Sequence, residues 1–133
     1  MSTSSRQNGR LRQHPSERFA EPVRKLDIDA QFDELLSEDH PPTDGHRQIT
    51  VSHEDGLTQT LVHFLQGSGL RHHQVNGIVT LHVVDGLLEV RTRDAVRTVS
   101  SGELLTLSRG IRFGLDAIEE TKLLMTVHLG RHA

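Results

Sequence analysis

Histidine is the residue type through which this chain could do most chemistry: ten are present, against no cysteine, tyrosine or tryptophan. An imidazole can ligate a divalent metal or move a proton near neutral pH. A metal site, however, needs three or four such donors brought to one point, and most of these histidines are dispersed. His14, His40, His46 and His53 fall in segments that read as tail or connection, and His132 lies beside the last residue. His63, His82 and His128 fall in β-patterned runs, and no spacing relates His63 to His128 as a common site. If Val79, Leu81 and Val83 point inward, alternation along the strand sends His82 to the opposite face. His73 is left, framed by glycine-rich turns in Gly67-Ser-Gly-Leu-Arg-His-His73-Gln-Val75-Asn-Gly77-Ile-Val79-Thr-Leu-His-Val-Val-Asp85-Gly86. Other catalytic sets are weaker still. Ser100, Ser101 and Ser108 lack a nucleophile elbow and a locatable His/Asp pair. Glu89 and Glu103 stand beside strand turns, where solvated carboxylates are expected, with no pairing for general acid–base work.

The elements that must position His73 are short and mostly extended. From Gly45 onward, runs rich in β-branched residues alternate with polar turns: 47–51, 58–65, 70–75, 78–84, 87–92, 95–99, 103–107, a run after Gly110 to Leu115, and 122–129. Turns are read at Glu54-Asp55-Gly56, Arg93-Asp94 and Ser101-Gly102. Asp85-Gly86, set between two apolar pairs, reads as the strongest hairpin signal in the chain. Many short strands at this spacing predict an all-β sandwich, jelly roll or barrel. Ahead of them, Ile28, Phe32, Leu35 and Leu36 fall on one face of a short amphipathic helix at about 27–37. Asp27 is its expected N-cap, and His40-Pro41-Pro42 its expected stop. A helix of about ten residues is not stable alone, so its apolar face should pack on the β-domain or on a partner subunit.

Charge divides the 133 residues into three parts. Residues 1–20 carry four arginines against one acid and almost nothing apolar, and are expected to be a disordered basic tail. Residues 21–55 hold ten acids against three bases, and residues 56–133 seven acids against eight bases. The resulting organisation is a tail (1–20), an acidic segment with the helix (21–46), a β-domain (47–129) and a C-terminal tail (130–133). A net charge of −3 and the scarcity of aromatic rings argue against nucleic acid as a partner. No apolar run approaches the length needed to span a bilayer, and Met1-Ser-Thr-Ser-Ser-Arg lacks the apolar stretch of a secretory signal. A cytoplasmic protein with no membrane association is the expectation. The absence of cysteine removes disulfides, thiolate nucleophiles and cysteine zinc sites together.

The spacing around His73 resembles the first motif of the cupin superfamily: glycine, five residues, His-x-His, three or four residues, Glu, six residues, glycine. Gly67, His73 and Gly86 fall on it. The second motif runs glycine, five residues, Pro-x-Gly, two residues, His, three residues, Asn, and Gly102 and Gly110 fall on that. The resemblance covers about 47–129 and implies a cupin-type jelly-roll β-barrel. It also implies where a metal would sit, and there the chain departs from the family. His73 matches the first ligand, but the other three ligand positions are Val75, Val79 and Phe113, while Ser108 and Ala117 replace the motif's proline and asparagine. Valine and phenylalanine offer no lone pair, so the family's oxygenase or isomerase chemistry does not carry over.

The expectation is therefore a domain without catalysis and without a cofactor, in which His73, Val75, Val79, Leu81 and Phe113 face the barrel interior. That interior is either packed or open as a pocket for a small apolar ligand, with His73 as its polar contact. Ile78, Thr80, His82 and Val84 should form the outward face of one strand, suited to the helix or to a second subunit in a homodimer. Two alternatives stay open: a metal-dependent cupin enzyme with an unusual ligand set, and a regulatory protein that contacts a macromolecule through its N-terminal segment.

Overall fold

A computed structural model describes residues 21–130. The expected basic tail (1–20) and most of the C-terminal tail (131–133) lie outside the described residues. Among the described residues, one helix and nine strands follow in order: α1 (Ile28–Leu36), β1 (His46–Glu54), β2 (Leu57–Phe64), β3 (Gly69–Gln74), β4 (Ile78–Asp85), β5 (Leu87–Thr92), β6 (Val96–Ser100), β7 (Leu104–Leu107), β8 (Arg112–Ala117) and β9 (Thr121–His128). They form two antiparallel sheets, one ordered β1-β2-β9-β4-β7 and the other β3-β8-β5-β6. This is a jelly-roll arrangement, with the sheets facing each other across one core.

Strict alternation places that core. Along β4, Val79, Leu81 and Val83 are buried while Ile78, Thr80, His82 and Val84 are not. Val90 and Leu88 on β5, and Phe113, Leu115 and Ala117 on β8, meet them from the opposite sheet, with Val62, Phe64 and Leu123 completing the cluster. Each Val, Leu or Phe among them contributes about 1.5–3 kcal/mol by leaving water.

A second, smaller cluster lies on the outside of the five-stranded sheet. There Phe32 and Leu35 of α1 cover Leu61, flanked by Ile28, Ile49, Val51, Val84 and Leu124. Asp27 caps the helix, its Oδ1 accepting from the Ala30 amide at 3.0 Å. The helix stops at Leu36, with Ser37 as the cap, ahead of the expected His40-Pro41-Pro42. Ser37 takes φ −91° and ψ 0°, and its amide donates to carbonyls of the last turn, so the stop is made by backbone closure and not by proline. Among the described residues no helix is long and apolar enough to cross a membrane.

One turn differs from its sequence reading. Asp85-Gly86 does not join a hairpin: β4 pairs with β7 and β9, whereas β5 pairs with β6 and β8. The dipeptide is a corner where the chain passes from one sheet to the other, just after a register shift between Val83 and Asp85. Gly86 has φ +119°, and a Cβ there would stand 2.4 Å from the Glu120 carbonyl oxygen. The corner is fastened by the buried Thr121 hydroxyl, which accepts from the Leu87 amide at 3.2 Å and donates to the Glu119 carbonyl at 2.8 Å. The tight hairpin is instead Asp55-Gly56, between Glu54 and Leu57, with both residues at positive φ as the right-handed twist of the flanking strands prefers.

Candidate functional site

Two of the cupin-like positions pair across β3 and β8, while Val79 and Leu81 belong to β4 in the facing sheet. His73 is the cross-strand partner of Phe113, and their rings lie edge to face with centroids 5.5 Å apart. A bulge makes this pairing inward. Leu70 pairs with Leu115 and His73 with Phe113, so three steps on β3 match two on β8. In a regular strand, residues three apart face opposite ways. The extra residue lets both Leu70 and His73 turn toward the core while Arg71 and His72 are thrown outward, and His72 takes φ +51° to do it.

Around His73 the environment is hydrocarbon. Val79, Leu81 and Phe113 are buried members of the main core, and Val75 packs against it half-buried. The five candidate residues thus belong to one region, with His73 half-buried beside Phe113. A resident metal does not fit these positions: of the four, only His73 carries a lone pair, and the two valines and the phenylalanine have none to share. Among the described residues no group of three or more His, Asp or Glu side chains could hold a metal ion.

Two further features were not anticipated from the sequence. His63, buried on the outer face of β2, has Nε2 2.6 Å from Glu120 Oε2. It is thereby tied to the loop before β9 and is not available as a ligand. The second feature is a cleft of about 440 Å3 on the outside of the four-stranded sheet, lined by Arg71, His72, Arg91, Arg93, Arg112 and Gly114 among others. No local motif announces it, because its arginines come from three separate strands and one turn. The only sequence signal is that Arg91 and Arg112 occupy the polar phase of strands whose other phase is buried.

At one end of the jelly roll, Arg109 closes the rim. Its guanidinium donates to the carbonyls of Asn76 at 3.0 Å and Leu129 at 2.6 Å, tying the β7–β8 turn to the β3–β4 loop and to the end of β9. Gln74 adds a bond to the Gly110 carbonyl at 2.8 Å. The turn that carries the metal motif's proline in cupins is thus anchored here by an arginine in the middle of Ser108-Arg109-Gly110.

No protein-family model and no curated protein sequence matches the chain. Solved structures do resemble it. A conserved protein of unknown function from Streptococcus pyogenes superposes with a TM-score of 0.67 at 21% identity, over 84% of this chain and 92% of the other. A cupin superfamily protein from Desulfitobacterium hafniense gives 0.63 at 11% identity, over 68% and 84%. KdgF from a Halomonas species gives 0.61 at 22% identity, over 69% and 87%. With two facing antiparallel sheets in jelly-roll order and structural neighbours of this kind, the chain has the cupin fold.

Proposed function

We propose that this domain works without a resident metal, as a cupin-fold binding and association module and not as a metal-dependent enzyme. One observation carries the reading: Val75, Val79 and Phe113 stand at three of the four positions where the motifs of cupins place metal ligands, Val79 and Phe113 buried in the core and Val75 half-buried against it. The space that would serve a coordination sphere is used for hydrophobic stability.

Association as a homodimer rests on the outer face of the five-stranded sheet. The helix covers its β1, β2 and β9 side. Toward β7 the face carries Ile78, Thr80 and His82 on β4 beside Leu104 and Thr106, with Leu104 63% exposed. Such a face of threonines and large apolar side chains suits a second copy better than bulk water. The regulatory alternative loses its simplest device, because the apolar face of α1 is occupied by this chain's own sheet.

The test is metal analysis of protein purified without a histidine tag, together with sedimentation equilibrium. Substoichiometric metal and a dimer that Leu104→Glu dissociates are the expected results. Stoichiometric, tightly held iron, manganese, zinc or nickel would overturn the metal-free reading, and a monomer at all concentrations would overturn the dimer.

A further inference from the structure

The outer face of the four-stranded sheet gathers positive charge from residues far apart in sequence. Arg71 and His72 project from the β3 bulge, Arg91 and Arg93 from the end of β5 and the turn after it, and Arg112 from the start of β8. They surround the open cleft of about 440 Å3. Arg91 is the neutralised member, paired with Asp116 and, at 3.4 Å, with Glu89. Among the described residues no carboxylate pairs with Arg71, Arg93 or Arg112. Three arginines lining one hollow without a paired carboxylate make it a place of positive potential on a chain whose net charge is negative.

Two structural details show how the hollow is formed. The Arg91 guanidinium lies across β8 over Gly114, where a Cβ would stand 3.0 Å from Nη2. Glycine at this position lets the arginine lie flat and form a floor. His72 is held at positive φ in the bulge, a conformation that L side chains seldom adopt. The bulge that turns His73 inward is the same one that projects Arg71 over the cleft.

We propose that this cleft binds the phosphate group of a small molecule, a phosphate ester or a diphosphate, through Arg71, Arg93 and Arg112 above the floor of Arg91 and Gly114. The planar, always-charged guanidinium donates in a fork that matches two oxygens of a phosphate. A single carboxylate would leave most of the charge uncompensated, whereas a phosphate dianion or diphosphate offsets two or more of the three. A nucleic-acid strand is the poorer fit: the charge is confined to one hollow, the whole chain is net negative, and it has no Tyr or Trp on which bases could stack. This inference goes beyond the metal-free reading and fails independently of it, since metal content probes the interior and anion binding probes the outer face.

The experiment is calorimetric titration of the full chain with pyrophosphate, inorganic phosphate and a hexose monophosphate at physiological ionic strength, where a Debye length of about 8 Å suppresses diffuse attraction. Saturable binding of pyrophosphate is expected, weakened about tenfold or more by Arg71→Gln and by Arg112→Gln with the melting temperature unchanged. Arg97→Gln, at an exposed β6 position outside the cleft, should leave it intact. Tighter binding of the hexose monophosphate than of inorganic phosphate identifies an ester as the ligand, tighter binding of pyrophosphate identifies a diphosphate, and inorganic phosphate binding more tightly than both would overturn the proposal. Absence of saturable binding, an equal loss in Arg97→Gln, or an oligoribonucleotide binding more tightly than pyrophosphate would each overturn the proposal.

Discussion

Truncating Phe32 to alanine should release the helix without unfolding the jelly roll. Phe32 and Leu35 are the two buried residues of α1, at 0% and 1% exposure, and both sit in a cluster separate from the main core. Lys122 adds a cation over the Phe32 ring, with Nζ 5.6 Å from its centroid. Core truncations of this kind cost about 3–5 kcal/mol for Phe→Ala and about 2–5 kcal/mol for Leu→Ala. A nine-residue helix has little stability of its own, so either loss removes roughly half of what holds it down. Once the helix lets go, the remaining residue has no contact left to lose. Phe32→Ala and Leu35→Ala should therefore each destabilise the protein, and the double variant should be no worse than the poorer single within about 0.5 kcal/mol. Urea unfolding measures the totals. Amide exchange should show α1 opening in the variants while Val79 to Val83 and Leu123 stay protected. Additive losses, with exchange rising equally in the helix and the central strands, would refute the reasoning and make α1 part of one cooperative unit with the core.

Further outcomes follow from single sites. Gly86→Ala should lower the melting temperature by the equivalent of about 2 kcal/mol or more, since its Cβ would collide with the Glu120 carbonyl at a corner with positive φ. The Ser100 amide and hydroxyl both donate to Glu103 Oε1 at 2.8 Å and hold that carboxyl below its ordinary pKa. A depressed folded-state pKa gives stability that is complete above the ordinary carboxylate range and lost as pH falls through the folded value. Glu103→Gln should accordingly flatten the acid side of the stability–pH curve, and NMR titration of Glu103 should show the depressed midpoint. Rebuilding the missing ligands as Val75→His, Val79→Glu and Phe113→His beside His73 should produce a less stable apoprotein that manganese or nickel stabilises by about 2.7 kcal/mol at a hundredfold excess over Kd. A folded variant with no metal-dependent rise in melting temperature would show that these positions do not converge on one point.

Much of the architecture is legible in local pattern. The β4 alternation assigns Val79, Leu81 and Val83 to the interior and Ile78, Thr80, His82 and Val84 to the exterior because a pleated strand has a period of two. The helix is legible for the same kind of reason at a period of 3.6. What local pattern does not carry is partnership. Asp85-Gly86 has the residues of a tight hairpin, yet the strands it joins belong to different sheets. Glycine with positive φ serves a sheet corner as well as a two-residue turn. The bulge before His73 was equally hidden, since nothing in Leu70-Arg71-His72-His73 marks which residue is extra until β8 lies alongside. The arginine cleft is the extreme case: over residues 56–133 the charges nearly cancel, and only the tertiary arrangement separates them.

The place of β9 has a consequence for how the protein comes into being. This last strand lies between β2 and β4 in the five-stranded sheet, pairing along its length with both. Among the described strands, only β1–β2 and β5–β6 join neighbours in sequence within a sheet. Until the chain has been synthesised through His128, β2 and β4 each present an unpaired row of backbone donors and acceptors, edges that invite the wrong strand from another chain. A ribosome that stalls before Thr121 would release a sticky, half-built sheet and not a smaller stable domain. Closure of the five-stranded sheet thus waits on eight residues that include none of the five candidate site residues.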